Sequence, residues 1–278
     1  MISTYLTGLL AETGISIVGA LGVYIILSTG QLSLGNAAFM AIGAYSSSVL
    51  TVWYGVEVTL AVLIGAVVAG LVGFFVGFPA LRLRGIYLAM ATLGLGEMTR
   101  SLLLNVEATG GAAGFFGMPS IGIAYIWGWV ALLFGAIALV ERSRLWLCLR
   151  SINDDEIAAG LVGMNATALK VAAFSAGAAV AGVAGGLLAH YRLYIEPGNF
   201  GFEQSVEMVL AVILGGSTLA IGAVVGAFLM VMLPEALRFV SDWRLAAFGA
   251  LLILVLLVRR QGILDRRAFA MLLRWREG

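Results

Sequence analysis

Long runs of hydrophobic residues, separated by short polar breaks, extend through most of the chain. A helix needs roughly 20 mostly apolar residues to cross the hydrocarbon core of a bilayer. The runs that approach or reach this length are residues 5–27, 36–54, 58–78, 86–104, 121–140, 168–189, 205–233 and 244–258. We therefore predict an all-α polytopic membrane protein with about eight hydrophobic segments, some of them broken or re-entrant.

The composition supports a membrane protein and disfavours several kinds of site. Hydrophobic residues make up 62% of the chain and charged residues 11%, whereas soluble domains carry about 25% charged residues. The single cysteine, Cys148, excludes an intramolecular disulfide and a cysteine cluster. The single histidine, His190, is expected at a helix end near the membrane interface and makes a histidine metal site improbable. We expect no nucleic-acid partner, and the net charge of +1 gives no indication of one.

Lysine and arginine cluster in three places, and such clusters favour the cytoplasmic side of a membrane. One cluster follows the third segment, a second lies between residues 142 and 170, and a third is in the tail from residue 259 onward. The loops at 105–120 and 190–204 are then external. We predict one transmembrane domain over 1–258, with a cytoplasmic loop at 142–168, and a basic cytoplasmic tail at 259–278.

Counting the membrane crossings indicates that the segment 205–233 is not one simple span. If Lys170 and the tail are both cytoplasmic, an even number of crossings must separate them, but three apolar segments are visible. As one helix, 205–233 would be about 44 Å long. We predict a break or hairpin at Gly215, Gly216 and Ser217, where unwound backbone would line a pathway; the alternative is one long tilted helix. The N-terminus is external if three spans precede Arg82, and internal if residues 30–39 are re-entrant.

A short polar stretch, "RSINDDEIAAGLVGMNATALK" from Arg150 to Lys170, interrupts the apolar chain. Ser151 and Asn153 are good N-cap residues, each with an acid three positions later, and Gly163 stands where a left-handed C-cap is expected. Such a short helix is not stable alone in water. The apolar side chains that form its expected docking face are Ile157, Ala158, Leu161 and Val162. That face would lie on the membrane surface or, as we favour, against another protein.

The same stretch resembles the coupling-loop motif of ABC-importer permeases, in which Glu-x-Ala-Ala is followed at a distance by Gly. Further signatures resemble the same family: "GQLSLGNAAFMAIGAYSSSVL", "RLRGIYLAMATLGLGEMTR", "TGGAAG" and "VILGGSTLAIGAVVGA", in that order along residues 30–227. Together they are similar to the M-type permease subunits of high-affinity branched-chain amino-acid importers. Urea, amide and other amino-acid importers share these motifs.

The resemblance implies a type II-like ABC importer permease in the inner membrane of a prokaryote. Its expected partners are a homologous second permease subunit, two cytoplasmic ABC ATPases and an external substrate-binding protein. The chain lacks a Gly-x-x-x-x-Gly-Lys-Ser/Thr phosphate loop, so we expect no cofactor on it and ATP-Mg on the partner ATPases. The residues expected to couple it to an ATPase are Asn153, Asp155, Glu156, Ala158, Ala159 and Gly163.

Small and polar residues within the spans are candidates for lining the translocation pathway. The stretch around 33–45 is a broken helix or, alternatively, a packing surface between helices. Glu97 and Arg100 are three residues apart and are expected to form a structural pair, and Thr92 is a candidate backbone-bonding kink. The predicted pathway residues are Ser33, Gly35, Asn36, Phe39, Gly43, Tyr45, Thr92, Glu97, Gly215, Gly216 and Ser217.

Two other classes of function stay open from the residues alone. An ion-coupled secondary transporter commonly uses buried acids, and only Glu97, Glu207 and Glu12 are candidates. A membrane enzyme is disfavoured because no nucleophile–base pair or metal cluster is apparent. Neither alternative accounts for the capped polar helix.

Overall fold

The computed structural model describes residues 2–80, 83, 85–236, 249 and 253 and is built almost entirely of α-helices. The helices are α1 (Ile2–Leu27), α2 (Asn36–Tyr54), α3 (Val58–Ala80), α4 (Ile86–Asn105), α5 (Ile123–Glu141), α6 (Arg144–Asp154), α7 (Glu156–Leu161), α8 (Ala166–Arg192), α9 (Phe202–Gly215) and α10 (Ala220–Ala236). Two short strands, β1 (Phe115–Phe116) and β2 (Tyr194–Ile195), pair antiparallel. The all-α prediction is confirmed for the described residues.

Five of the described helices are long and apolar enough to cross a membrane: α1, α2, α3, α5 and α8. Helix α4 has 20 residues, but the polar side chains along it, including Glu97 and Arg100, lower its hydropathy. The segment 205–233 separates into two shorter helices, and the predicted segment 244–258 lies outside the described residues except for Gly249 and Ile253. The predicted count of about eight segments is therefore not confirmed.

Helix α8 is the central helix of the bundle and packs against α1, α2 and α3. Its contact faces carry glycine and alanine, so neighbouring backbones approach closely. Gly177 lies against Gly22, and Gly182 lies against Gly43 and Gly65. Lipid tails are as apolar as leucine, so helices in a bilayer associate through close packing rather than through the hydrophobic effect. This explains why the core needs so many small residues.

The segment 205–233 forms a helical hairpin. Helix α9 ends at Gly215, and after a four-residue break α10 turns back along it, with Gly226 against Ala211 and Gly215. Gly216 has φ +113°, a backbone conformation that side-chain-bearing residues rarely adopt. The predicted break is confirmed, and the alternative of one long tilted helix is wrong.

The two ends of the bundle are distinct, and the N-terminus belongs to the end opposite the polar helices α6 and α7. The Arg192 Nε at the end of α8 lies 2.9 Å from the Glu12 Oε1 of α1. Strand pairing of Phe115 with Ile195 joins the loops 105–120 and 190–204, which confirms that they share one end. We name this the loop end and the opposite one the coupling end. Helices α1, α2 and α3 each cross between the two, as the external N-terminus alternative requires.

His190 differs from its expected interfacial position. The imidazole is fully buried between α8 and α2. One ring nitrogen, Nδ1, lies 2.8 Å from the Gly186 carbonyl, and Nε2 lies 3.2 Å from the Thr51 hydroxyl. Its two hydrogen-bond partners are one helical turn away and on the adjacent helix, so the polar ring is satisfied inside the bundle rather than by interfacial water.

Candidate functional site: the coupling end and the α2 entrance

The polar stretch after α5 forms two consecutive helices rather than one. Helix α6 begins at Arg144, well before the predicted N-caps, because Trp146 and Ile152 bury one of its faces against the bundle. The hydroxyl of Ser151 donates to the Cys148 carbonyl at 2.8 Å, so it is used inside α6 and caps no helix. Asn153 also lies within α6, against Gly30. The predictions of Ser151 and Asn153 as N-caps are wrong; the spacing of Trp146, Leu149 and Ile152 is the signal that indicates the earlier start.

Helix α7 has well-defined caps at both ends. The Asp155 carboxylate accepts hydrogen bonds from the Ile157 and Ala158 amides at 2.9 and 3.0 Å, as an N-cap should. At the other end, the Gly163 amide donates to the Gly160 carbonyl and the Met164 amide to the Ala159 carbonyl. This is the Schellman arrangement, and Gly163 has φ +85°. The predicted C-cap is confirmed, and Asp155 rather than Asn153 begins the helix.

The apolar face of α7 points away from the chain. Ile157, Leu161 and Val162 are 75%, 87% and 76% exposed, whereas Ala159 is buried beneath them. The Glu156 carboxylate lies 2.9 Å from the Lys170 ammonium of α8 and ties the start of α7 to the bundle. The predicted coupling residues Asp155, Glu156, Ala158, Ala159 and Gly163 thus all belong to one small, anchored helix with an uncovered apolar surface.

Two side chains join the coupling end to the α9–α10 hairpin. The Arg150 guanidinium of α6 donates to the Thr218 carbonyl at 2.9 Å. The Glu141 carboxylate, at the end of α5, accepts from the Ala220 amide at 2.8 Å, at the first residue of α10. Glu141 also accepts a hydrogen bond from the Tyr24 hydroxyl, and Tyr24 stacks on Trp146 of α6 with ring centroids 5.3 Å apart.

The sequence interpretation missed this link, because Arg150 and Thr218 are far apart in the chain. Of the predicted break residues, Gly215 and Gly216 are buried in the hairpin and Ser217 is exposed at its tip. They lie at the coupling end, beside α6.

The start of α2 collects the polar groups of the first signature. The Leu34 amide donates to the Thr92 hydroxyl of α4 at 2.9 Å, and the Thr92 hydroxyl lies 3.0 Å from the Leu88 and Ala89 carbonyls. The backbone bonding predicted for Thr92 is confirmed. The Ala37 amide donates to the Ser205 hydroxyl of α9 at 3.0 Å. We name this meeting point of α2, α4 and α9 the α2 entrance.

Four predicted pathway residues lie at the α2 entrance and are buried: Thr92, and Ser33, Gly35 and Asn36 of the first signature. Gly35 packs directly on the Thr92 backbone, and the Asn36 amide nitrogen donates to the Ser33 carbonyl at 3.2 Å. The Asn36 Oδ1 and both amide atoms of Gln31 are buried with no hydrogen-bond partner among the described residues. Buried polar atoms without partners are uncommon and often mark functional positions, and Gln31 carried no distinguishing signal in the sequence.

The other three residues of that signature lie deeper in the bundle. Phe39 is in edge-to-face contact with Phe174 of α8, with centroids 5.5 Å apart. Gly43 contacts the Gly182 backbone so closely that no side chain fits, and Tyr45 packs on Phe200. For Gly43 this geometry favours the helix-packing alternative; the pathway role of these residues stays a prediction.

Comparison with known proteins identifies the family. A family model described as "Branched-chain amino acid transport system / permease component" matches residues 5–258. The chain belongs to this permease family.

The relatives of this permease include both branched-chain amino acid and sugar systems. It is 33% identical to the high-affinity branched-chain amino acid transport system permease protein LivM of Salmonella typhimurium, over 95% of this chain and 71% of that protein. It is 34% identical to LivH of Escherichia coli K12 over 50% of this chain and 46% of LivH. The fructose import permease protein FrcC of Rhizobium meliloti is 24% identical over 88% of this chain and 74% of FrcC. No solved structure matches the chain significantly.

A charged cavity lies between the loop end of this permease and the α2 entrance. Glu97 and Arg100 of α4 form the predicted pair, with Oε2 and Nη1 3.4 Å apart. Both line a cavity of about 540 Å³, together with Arg192, the loop at 198–201, and Glu203 and Glu207 of α9. The predicted pathway residue Glu97 therefore lines a cavity that also includes Arg192, at the loop end of α8.

Proposed function

We propose that this chain is the M-type transmembrane permease subunit of an ATP-driven, binding-protein-dependent importer of leucine, isoleucine and valine. It works as a multi-pass protein of the inner membrane of a prokaryote. A homologous second permease subunit completes the pathway, two cytoplasmic ABC ATPases supply the energy, and an external binding protein delivers the substrate. The family membership and the likeness to LivM and LivH support this proposal.

The uncovered apolar face of α7 is the observation that carries the proposal. Exposing three large aliphatic side chains on one short helix and its C-cap is costly in water, since each contributes about 1.5–3 kcal/mol when fully buried. The caps, the Glu156–Lys170 ion pair and the buried Ala159 hold α7 in a fixed orientation. A preorganised, exposed, apolar helix is suited to docking in a cleft of another protein, and the resemblance to ABC-importer permeases makes an ATPase the expected partner.

The link from α6 to the hairpin explains how docking would act on the pathway. A displacement of α6 pulls the Thr218 carbonyl through Arg150. Helix α9 then carries the movement along its length to Ser205 at the α2 entrance. The chain contributes the helices that transmit the movement and part of the translocation pathway. ATP and its Mg²⁺ bind on the partner ATPases, and we expect no cofactor on this chain.

The proposal is tested by ATP-driven leucine uptake into proteoliposomes that contain the complex assembled with its ATPases and binding protein. Glu156→Lys breaks the ion pair to Lys170, and Gly163→Val places a β-branched residue at a positive φ. Each is expected to abolish uptake while the permease still inserts and purifies. Gly128→Val is the control, since no atom of the described residues lies within 4 Å of a side chain added at that position. Normal uptake by both coupling variants would contradict the assignment of α7.

The substrate and the energy source are tested in the same vesicles. Leucine and valine are expected to compete with one another, whereas urea and fructose are not. Competition by urea would indicate the amide-importing branch of the family. Uptake that follows an ion gradient without ATP would instead indicate a secondary transporter.

A reporter fused after Arg276 is expected on the cytoplasmic side.

A further inference from the structure

The charged cavity at the loop end has the chemistry of a binding site for a small zwitterion. Its walls carry charges of both signs: the Arg100 and Arg192 guanidinium groups and the Glu97, Glu203 and Glu207 carboxylates. Its volume of about 540 Å³ lies within the roughly 300–1,000 Å³ of small-molecule sites. An aliphatic side chain alone would gain no electrostatic or hydrogen-bond stabilisation from this set of groups.

The two acids of α9 are arranged to attract a cation. Glu203 and Glu207 are four residues apart on one helix, so they occupy the same face and repel one another. Neither has an ion-pair partner among the residues that the structure describes. An ammonium group between them would relieve this repulsion.

Arg100 of α4 supplies the complementary charge in the same cavity. Its contact with Glu97 is long, at 3.4 Å, and both side chains are more than 40% exposed. Such pairs contribute about 0–1 kcal/mol, so a ligand carboxylate can displace or share the guanidinium at little cost. Guanidinium groups bind carboxylates through two parallel hydrogen bonds. Arg192 is already engaged by Glu12 at 2.9 Å and is the weaker candidate.

The position of the cavity connects it to the α2 entrance. Helix α4 carries Arg100 in the cavity and Thr92 at the entrance, about 12 Å apart along the helix. Helix α9 carries Glu203 and Glu207 in the cavity, Ser205 at the entrance and, at its far end, the break that Arg150 contacts. The walls of the cavity are therefore the same two helices that hold the predicted pathway.

We propose that this cavity is an entry site for a zwitterionic amino acid, in which Arg100 binds the α-carboxylate and Glu203 and Glu207 bind the α-ammonium group. The site receives the substrate from the loop end before the substrate reaches the α2 entrance. This inference rests on the proposed function. It adds that the permease recognises the charged α-carboxylate and α-ammonium groups common to all amino acids rather than the side chain.

Transport kinetics of the complete reconstituted complex test the site. For Arg100→Gln and Glu207→Gln, leucine turnover at saturating binding protein is expected to fall by roughly tenfold or more, the size of one charge-assisted hydrogen bond. The concentration of binding protein at half-maximal rate is expected to stay unchanged. Arg100→Lys should retain part of the turnover. Glu57→Gln removes an exposed acid from the α2–α3 connection at the same end, outside the cavity, and serves as the matched control.

Each alternative result has a distinct meaning. A higher half-saturating concentration of binding protein with normal turnover would overturn the proposal and make the cavity a docking surface for that protein. Turnover equal to wild type in both variants would also overturn it. If the wild-type complex fails to transport leucine with ATP, the proposed function fails and this inference fails with it.

Direct binding separates a lost site from a damaged fold. Saturation-transfer NMR on the purified complex without binding protein is expected to detect leucine, and to show a much weaker signal for leucinamide and N-acetylleucine, which each lack one charge. The leucine signal should disappear in Arg100→Gln when the variant complex elutes as an intact assembly. Equal signals from the three ligands would overturn the zwitterion assignment.

Discussion

At the scale of single residues, the glycines of this permease are not equivalent. Gly43 lies where α2 and α8 cross, in direct contact with the Gly182 backbone, whereas Gly94 of α4 has open space where a side chain would be. Both lie within α-helices, so their intrinsic helix propensities are the same. The difference between them comes entirely from what the neighbouring helix places opposite each one.

The substitution Gly43→Ala is expected to destabilise the protein, because the added methyl group forces α2 and α8 apart. Overpacking of this kind costs about 1–3 kcal/mol. The measurement is the midpoint of thermal unfolding in detergent, followed by fluorescence-detected size exclusion. Gly94→Ala is the matched control and should leave the midpoint unchanged or raise it slightly, since alanine is the better helix former. Equal midpoints for the two variants would argue against close packing at Gly43.

At the scale of secondary-structure elements, α6 connects α7 to the α9–α10 hairpin. It is amphipathic, with Trp146 and Ile152 buried and Arg150 reaching the hairpin break. Its neighbour Glu141 holds the first turn of α10, where a carboxylate also complements the helix dipole. The hairpin therefore has two polar attachments at the coupling end.

Removing one attachment is expected to separate ATP hydrolysis from transport. In Arg150→Ala, the Thr218 carbonyl loses its charged donor, so movement of α6 no longer reaches α9 efficiently. We expect severalfold less leucine transported per ATP hydrolysed, with the ATPase subunits still bound, measured as the ratio of uptake to phosphate release. Arg144→Ala removes an exposed arginine from the first turn of the same helix and should leave the ratio unchanged. An unchanged ratio in Arg150→Ala would show that the link carries no movement.

At the scale of the whole molecule, the arrangement of the helices defines two chemically different ends. The loop end holds the N-terminal part of α1, the strand pair and the charged cavity. The coupling end holds α6, α7 and the hairpin tip. Arg142, Arg144, Arg150 and Lys170 lie at the coupling end, so the positive-inside rule predicts that this end faces the cytoplasm.

Cysteine labelling of vesicles tests this orientation. In a Cys148→Ser background, Glu57→Cys places a thiol in the exposed α2–α3 connection at the loop end, and Asp154→Cys places one at the exposed end of α6. A membrane-impermeant maleimide should label Glu57→Cys in right-side-out vesicles and Asp154→Cys only in inverted ones. Labelling of both positions from the same side would contradict the assignment of the two ends.

Features that depend only on neighbouring residues could be predicted from the amino-acid sequence. The apolar runs indicated most of the helices, Gly163 indicated a left-handed C-cap, and Gly215 and Gly216 indicated the break between α9 and α10. The length of an apolar run, helix capping and the backbone freedom of glycine each depend on residues that are close in the sequence, so they can be predicted from it. The early start of α6 was also encoded locally, in the spacing of Trp146, Leu149 and Ile152, although the capping pattern that follows it led to a later start.

How these elements meet became visible only in the packed bundle. Thr92 bonds to Leu34, Arg150 to Thr218 and Glu141 to Ala220, and each pair is separated by more than 50 residues. Arg100 and Glu207 are also far apart in the chain, yet both line the same cavity. Such contacts depend on the angle and depth at which helices cross, and these are set by the small residues of α8 acting on three helices at once. No local pattern specifies that geometry, because it is a property of the packed bundle.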